Sequence, residues 1–286
     1  MSDTPDPDSP EAPATTHVWP LGPYRPGSPA LLADPIVQSV ALIVATSVVF
    51  VALPNLDLWF SGLFYQPGYG VPMGRLPAFI GLRAFGNDLT ALIGVGLFAV
   101  LLIKLALPSR PSLVSPRDTL FILGTLAIGP GLIVNFIFKD HWGRPRPVMI
   151  DTFSGAQSFV GAWHISDACA TNCSFVSGEA SSAIWLLTTV VLVPPRWREL
   201  AARILLVLAL LLSLNRIAVG GHFLSDVLLA WWMTLAVVAV AYRYLYVTPP
   251  AALTHDRLES RLTGAGEAIR GAASKVSALV SRRPPA

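Results

Sequence analysis

Apolar residues along this chain fall in long runs rather than in short alternations, and the runs are parted by stretches rich in proline and charge. Six of them cover residues 36–55, 88–107, 118–138, 176–195, 201–215 and 223–247. Most approach the ~20 residues that carry a helix across the hydrocarbon core of a bilayer. The fifth is short in its purely apolar part. Proline pairs close several of them, as at Pro108 with Pro111, Pro194 with Pro195 and Pro249 with Pro250. The pattern predicts an all-α polytopic membrane protein, a bundle of six transmembrane helices over 34–248. It sets a disordered tail over 1–33 before the bundle and a second tail over 249–286 after it.

Composition supports the bilayer as solvent. Of 286 residues, 53% are hydrophobic and 13% charged, and soluble domains carry about twice that charge. Mean hydropathy is +0.59. The net charge of +3 comes with no basic-aromatic patch, so nucleic acid is not an expected partner. The first residues lack a basic segment followed at once by an apolar core, so no cleavable leader is expected.

Lys and Arg orient the bundle. Arg110 and Arg117, with Lys104 close enough to snorkel to them, then Arg196 and Arg198 with Arg203 nearby, then the tail with Arg257, Arg261, Arg270, Lys275, Arg282 and Arg283 all fall on one side of a six-span chain. That side is expected to be cytoplasmic, with both termini on it. Apolar residues Leu258, Leu262, Ile269, Val276 and Val280 recur among the tail's charges. They fit either a helix resting on the anionic inner leaflet or a loosely ordered tail. On the outer side, the first connection holds Asp57, Trp59, Tyr65, Arg75 and Arg83, its aromatics suit an interfacial belt, and residues 75–87 are expected as a short surface helix. Lys139, Arg144, Arg146 and Arg216 also lie there, against the positive-inside trend, and need another reason to be present.

Three outer segments carry candidate chemistry. The first runs from Lys139 to Pro147 and holds cations stiffened by prolines. Arg offers a planar fork to phosphate oxygens, and Lys a point charge. The second, Ser177-Gly178-Glu179, opens the fourth run, where free N–H groups favour an anion. Glu179 beside a phosphate would repel it unless protonated, which makes it a candidate proton donor. The third holds Arg216, His222 and Asp226. His222 and Asp226 are four residues apart on one helix face, so the carboxylate can orient the imidazole and leave its other nitrogen to attack. Each segment alone also has a plain structural reading: a headgroup clamp, a helix cap, a buried His–Asp pair. Together they suit a phosphoryl group. No Cys, His and carboxylate set has metal-ligand spacing, so metal-free and cofactor-free catalysis is expected. The two cysteines, Cys169 and Cys173, either close a small disulfide loop in an oxidising compartment or stay free thiols.

The sequence resembles the type 2 phosphatidic acid phosphatase superfamily, whose motifs are KxxxxxxRP, PSGH and SRxxxxxHxxxD. The first is complete from Lys139 to Arg146-Pro147. The third runs from Asn215-Arg216 through His222 to Asp226, with Asn for Ser. The second is Val176-Ser177-Gly178-Glu179, without the family's Pro and His. The resemblance implies that Lys139, Arg146, Arg216, Ser177 and the Gly178 amide bind phosphate. It implies that His222 attacks phosphorus to form a phosphohistidine and that Asp226 holds it. Glu179, raised in pKa by an apolar setting, would stand in for the missing His, with His141 and His164 as substitutes. The stretch from Cys169 to Glu179 and Asp57-Leu58-Trp59-Phe60 are similar to bacterial members acting on lipid A or related envelope lipids. That places the protein in the inner membrane with its site facing the periplasm. The rival expectations are a lipid-phosphate-binding scaffold without catalysis, and a small transporter.

Overall fold

A computed structural model describes residues 18–19, 22–23 and 34–281, with side chains described over 34–275. The rest of the N-terminal tail and residues 282–286 lie outside the described residues. So does the disorder expected over 1–33, apart from a ribbon in which Val18–Trp19 pairs antiparallel with Gly22–Pro23. From residue 34 onward helices form a membrane bundle, and a long, mostly irregular connection runs from Asp140 to Ser177 between the third and fourth expected spans.

Five helices are long and apolar enough to cross a membrane: α1 (Pro35–Ala52), α3 (Pro77–Ala106), α4 (Pro116–Lys139), α6 (Pro195–Ala218, with its regular turns over Arg198–Ala218) and α7 (Leu224–Val247). Between α1 and α3 lies the short α2 (Asn55–Gly62). The fourth expected span is a shorter apolar helix, α5 (Gly178–Leu192). Its second half, Leu186–Leu192, winds as a 3₁₀-helix. That tighter winding rises about 2 Å per residue instead of 1.5, so α5 covers about 26 Å, close to the thickness of the hydrocarbon core.

The helix starts follow from local chemistry. Asp34 caps α1 by accepting from the Ile36 amide at 2.8 Å, and proline in the first turn begins α1, α3 and α4. The surface helix expected over 75–87 is not separate, because Pro77 starts α3 and the helix continues to Ala106. At 30 residues it is about 45 Å long and outreaches the bilayer core, which puts Arg83 near one end and Lys104 near the other. In α4, Pro130 lacks the N–H a regular turn needs. The helix widens to π winding over Ala127–Lys139, and the Asn135 side chain donates to the Pro130 carbonyl at 2.7 Å.

α5 and α7 form the centre, with α1 along α7 and α6 along α5. Large apolar side chains line the outside of α3, where Leu92 is 70% and Val95 68% exposed. Small polar groups tie the inside together. Ser181 and Thr234 share a hydrogen bond of 2.6 Å, the Trp185 indole donates to the Ile122 carbonyl, and that of Trp231 to Ser213. Lipid-facing apolar surface with hydrogen-bonded small residues between helices is how bundles pack when the solvent is itself apolar.

The C-terminal segment over His255–Ser281 is a helix, α8, packed against α3 and α4. Lys104 does not snorkel to the surface. It is buried, and its ammonium meets Glu259 of α8 at 2.7 Å and the carbonyls of Pro108 and Arg110.

Candidate active site

The three chemistry-bearing segments meet at one end of the bundle. Lys139 ends α4, Ser177 caps α5, Arg216 lies in the last turn of α6, and His222 sits in the turn before α7. That turn is built for close approach. Gly220 has a φ of +69°, which ends α6 in the left-handed conformation. The amides of Gly221 and His222 then both return to the Arg216 carbonyl, at 2.9 and 3.3 Å. A side chain at Gly221 would begin 2.4 Å from the Arg216 guanidinium, so only glycine lets that cation lie against the turn.

His222 is buried. Its Nδ1 lies 2.7 Å from the Ser174 carbonyl and 3.8 Å from Asp226 Oδ2. A carbonyl can only accept, so the ring proton sits on Nδ1 and the lone pair on Nε2. The direct imidazole–carboxylate hydrogen bond expected from the sequence is thus replaced by one to a backbone carbonyl. Asp226 is engaged elsewhere. It accepts from the Ser174 hydroxyl at 2.6 Å, from the Phe223 amide at 2.9 Å and from Arg144 at 2.5 Å. It caps α7 and holds Ser174, whose carbonyl in turn holds the imidazole.

Burial lowers the His222 pKa to about 4, against the pull of Asp226 beside it. The ring is therefore neutral at pH 7 with its lone pair available. An attacking imidazole loses activity as it gains a proton. The acid limb of kcat/KM is thus expected well below the ordinary imidazole value of about 6.5. A pH profile with a substrate whose phosphate does not titrate over the window checks this, and a midpoint between 6 and 7 contradicts it.

Sequence reasoning counted Arg144 as an unexplained outer cation, and gave Asp57 no role beyond its place in an outer connection and in a stretch similar to lipid A-type members. The structure buries both completely. Arg144 donates to Asp57 at 2.8 Å, Asp226 at 2.5 Å, the Ser225 hydroxyl at 2.8 Å and the Val160 carbonyl at 2.8 Å, and lies 4.3 Å over the Phe223 ring. Asp57 also accepts from the Ser225 amide and hydroxyl. Burial raises the Asp57 pKa, with Arg144 opposing. This network ties α2 to the start of α7.

Glu179 departs from expectation in its surroundings. Instead of an apolar pocket it meets two guanidiniums. Arg83 donates to both of its oxygens through Nε, at 3.0 and 3.2 Å, and through Nη2 at 2.8 Å. Arg216 Nε lies 2.7 Å from the second oxygen, without its N–H pointing there. Arg83, on α3, belongs to none of the three motifs and was missed for that reason. Arg83, Arg146 and Arg216 all lie within electrostatic reach of Lys139. Ser177 accepts from the Ala180 amide at 3.3 Å, and its own amide donates to the Asp226 carbonyl at 3.1 Å. His141 and His164 turn their Nδ1 atoms to backbone carbonyls of their own segments. Cys169 and Cys173 are joined as a disulfide. Among the described residues, no group of three or more His, Cys, Asp and Glu side chains converges to hold a metal.

A buried imidazole, held from behind by a backbone carbonyl and with the Arg216 and Arg146 guanidiniums in electrostatic reach at one end of a membrane bundle, fits a membrane phosphatase acting on lipid phosphates. Residues 118–248 match the model of the PAP2 superfamily. The chain is 38% identical over 199 residues to the lipid A 4'-phosphatase of Francisella tularensis subsp. novicida, covering 69% of this chain and 89% of that protein. It is 36% identical over 204 residues to the lipid A 4'-phosphatase of Rhizobium leguminosarum, covering 67% and 88%. A transmembrane PAP2-type phosphatidylglycerolphosphate phosphatase from Bacillus subtilis superposes with a TM-score of 0.48 at 18% identity, over 76% of this chain and 98% of that one. The chain belongs to the PAP2 superfamily.

Proposed function

We propose that the protein removes a phosphate from a lipid A-type glycolipid at the periplasmic face of a bacterial inner membrane, through a phosphohistidine on His222. The observation that carries the reading is the imidazole whose Nδ1 is tied to the Ser174 carbonyl at 2.7 Å beside the Arg216 guanidinium. Nε2 attacks phosphorus, forming a P–N bond as the P–O bond to the lipid breaks, and the leaving oxygen takes a proton from water. A water molecule then attacks phosphorus, the P–N bond breaks with its electron pair returning to Nε2, the water's proton passes to solvent and phosphate departs. Lys139, Arg146 and Arg216 bind the phosphoryl oxygens and offset the charge that develops on them, and Ser177 and the Gly178 amide add hydrogen bonds. The outward orientation is supported by the Arg residues at the far end of the bundle, between α3 and α4 and between α5 and α6.

The substrate class draws support from the curated relatives, two of which are described above as lipid A 4'-phosphatases at 36–38% identity. Purified enzyme is tested on lipid A, undecaprenyl diphosphate, phosphatidylglycerol phosphate and phosphatidic acid. The reading expects the highest kcat/KM on lipid A and no release by His222→Ala. A tenfold preference for any of the others overturns the substrate, and release by the variant overturns the site.

Within this reading Glu179 is the counter-ion that sets Arg83 and Arg216 in place. Glu179→Gln is expected to lower kcat/KM about tenfold, alike for a lipid phosphate and for p-nitrophenyl phosphate, whose leaving group needs no proton. A loss confined to the lipid would instead make Glu179 the proton donor.

A further inference from the structure

The loop from Cys169 to Cys173 touches the phosphate site at several points that no motif includes. Its fourth residue, Asn172, has a φ of +52°, a left-handed conformation that Asn and Gly tolerate and other residues resist. In that conformation its carbonyl and its side-chain oxygen both accept from one nitrogen of Arg146, Nη2, at 2.8 and 2.9 Å. The next two amides continue along the same partner segment. Cys173 donates to the Lys139 carbonyl at 3.2 Å and Ser174 to the Arg144 carbonyl at 2.8 Å. The disulfide closes the loop on itself, with the two Cα atoms 5.7 Å apart.

We infer that this disulfide-closed loop is a positioning element of the phosphate site, acting through Asn172 on Arg146. The inference rests on the proposed role of Arg146 in binding phosphate. An unheld arginine side chain samples many rotamers, and fixing it beforehand removes an entropic cost from anion binding. Asn172 holds Nη2 with two acceptors, and the N–H groups of Nε and Nη1 are the ones offered to the ligand. The ring of five residues keeps Asn172 in the one backbone conformation that aims both acceptors at the same nitrogen. Both cysteines of the chain are in this bridge, so a reductant acts on the loop alone.

The test uses full-length protein in detergent and reads two quantities. One is the KM and kcat for phosphate release from lipid A. The other is affinity for inorganic phosphate, read from the rise in melting temperature, which requires no turnover. Asn172→Gly keeps the backbone conformation and removes the side-chain acceptor. It is expected to weaken phosphate affinity and raise KM about tenfold, with kcat changed less than threefold. Asn172→Asp keeps an acceptor oxygen and is expected to stay within about threefold of wild type. In an Arg146→Lys background the glycine substitution is expected to add less than twofold, because the pair it breaks is already gone. Reductant should reproduce the loss in wild type and leave the Cys169→Ser/Cys173→Ser double variant, already impaired, unchanged. An unaffected Asn172→Gly variant, a full multiplicative loss in the Arg146→Lys background, or indifference of wild type to reductant each overturns the inference. Wild-type protein that binds phosphate but releases none from lipid would sink the catalytic reading while leaving the phosphate affinities to decide this one.

Discussion

His222→Ala is expected to lower kcat by about 10⁴- to 10⁶-fold, the range over which removal of a covalent nucleophile leaves only binding and charge stabilisation. In the proposed mechanism the substitution takes away the attacking lone pair. It leaves Arg216, Arg146 and Lys139 intact, so the variant is expected to bind phosphate still. His222→Gln sharpens the test, because its amide can donate to the Ser174 carbonyl without supplying a nucleophilic nitrogen. Both variants are expected to elute and melt close to wild type. Loss of turnover with retained phosphate binding separates chemistry from folding, and a fall of less than about tenfold would remove His222 from the mechanism.

Arg144→Met is expected to be the most damaging substitution to stability. It deletes the one Arg or Lys that, among the described residues, pairs with Asp57 and Asp226, and it does so where both carboxylates are fully buried. Breaking a buried pair by removing one partner costs about 3–5 kcal/mol, because an uncompensated charge stays behind. Here two carboxylates are stranded. Turnover falls as well, since Asp226 holds Ser174 and Ser174 holds the imidazole. Arg144→Lys is expected to rescue little, as one ammonium cannot span Asp57, Asp226, Ser225 and the Val160 carbonyl together. Arg144→Met combined with Asp57→Asn removes one stranded charge and is expected to recover part of the lost melting temperature. If the double variant melts below Arg144→Met, the network is not the electrostatic unit described above.

The spans and the motif residues were legible because each rests on a strong local signal. A run of about twenty mostly apolar residues has few homes other than a bilayer, and His222 and Asp226 declare themselves by their spacing of four at the start of α7. What the sequence hid are partnerships between distant segments. Nothing in Gly143-Arg144-Pro145-Arg146 distinguishes the arginine that is buried against two carboxylates from the one that reaches Asn172. Asp57 sits far away in a short helix, among aromatics that suggest only an interface. Arg83 belongs to a segment expected as a short surface helix, and the unbroken course of α3 brings it to Glu179. The role expected of Glu179 drew on an apolar setting, and two guanidiniums from other helices supply a different one. The link from His222 to Ser174 was invisible for a plainer reason: a backbone carbonyl has no side-chain signature.

The central claim is that phosphorus passes through His222. Mixing purified enzyme with a lipid phosphate labelled in the phosphoryl group, quenching within milliseconds in alkali and digesting the chain tests it directly. Alkali-stable, acid-labile label on the peptide that contains His222, absent from His222→Ala, is the predicted result. Turnover at the wild-type rate with no label on that residue at any quench time, or label on another side chain, would contradict it.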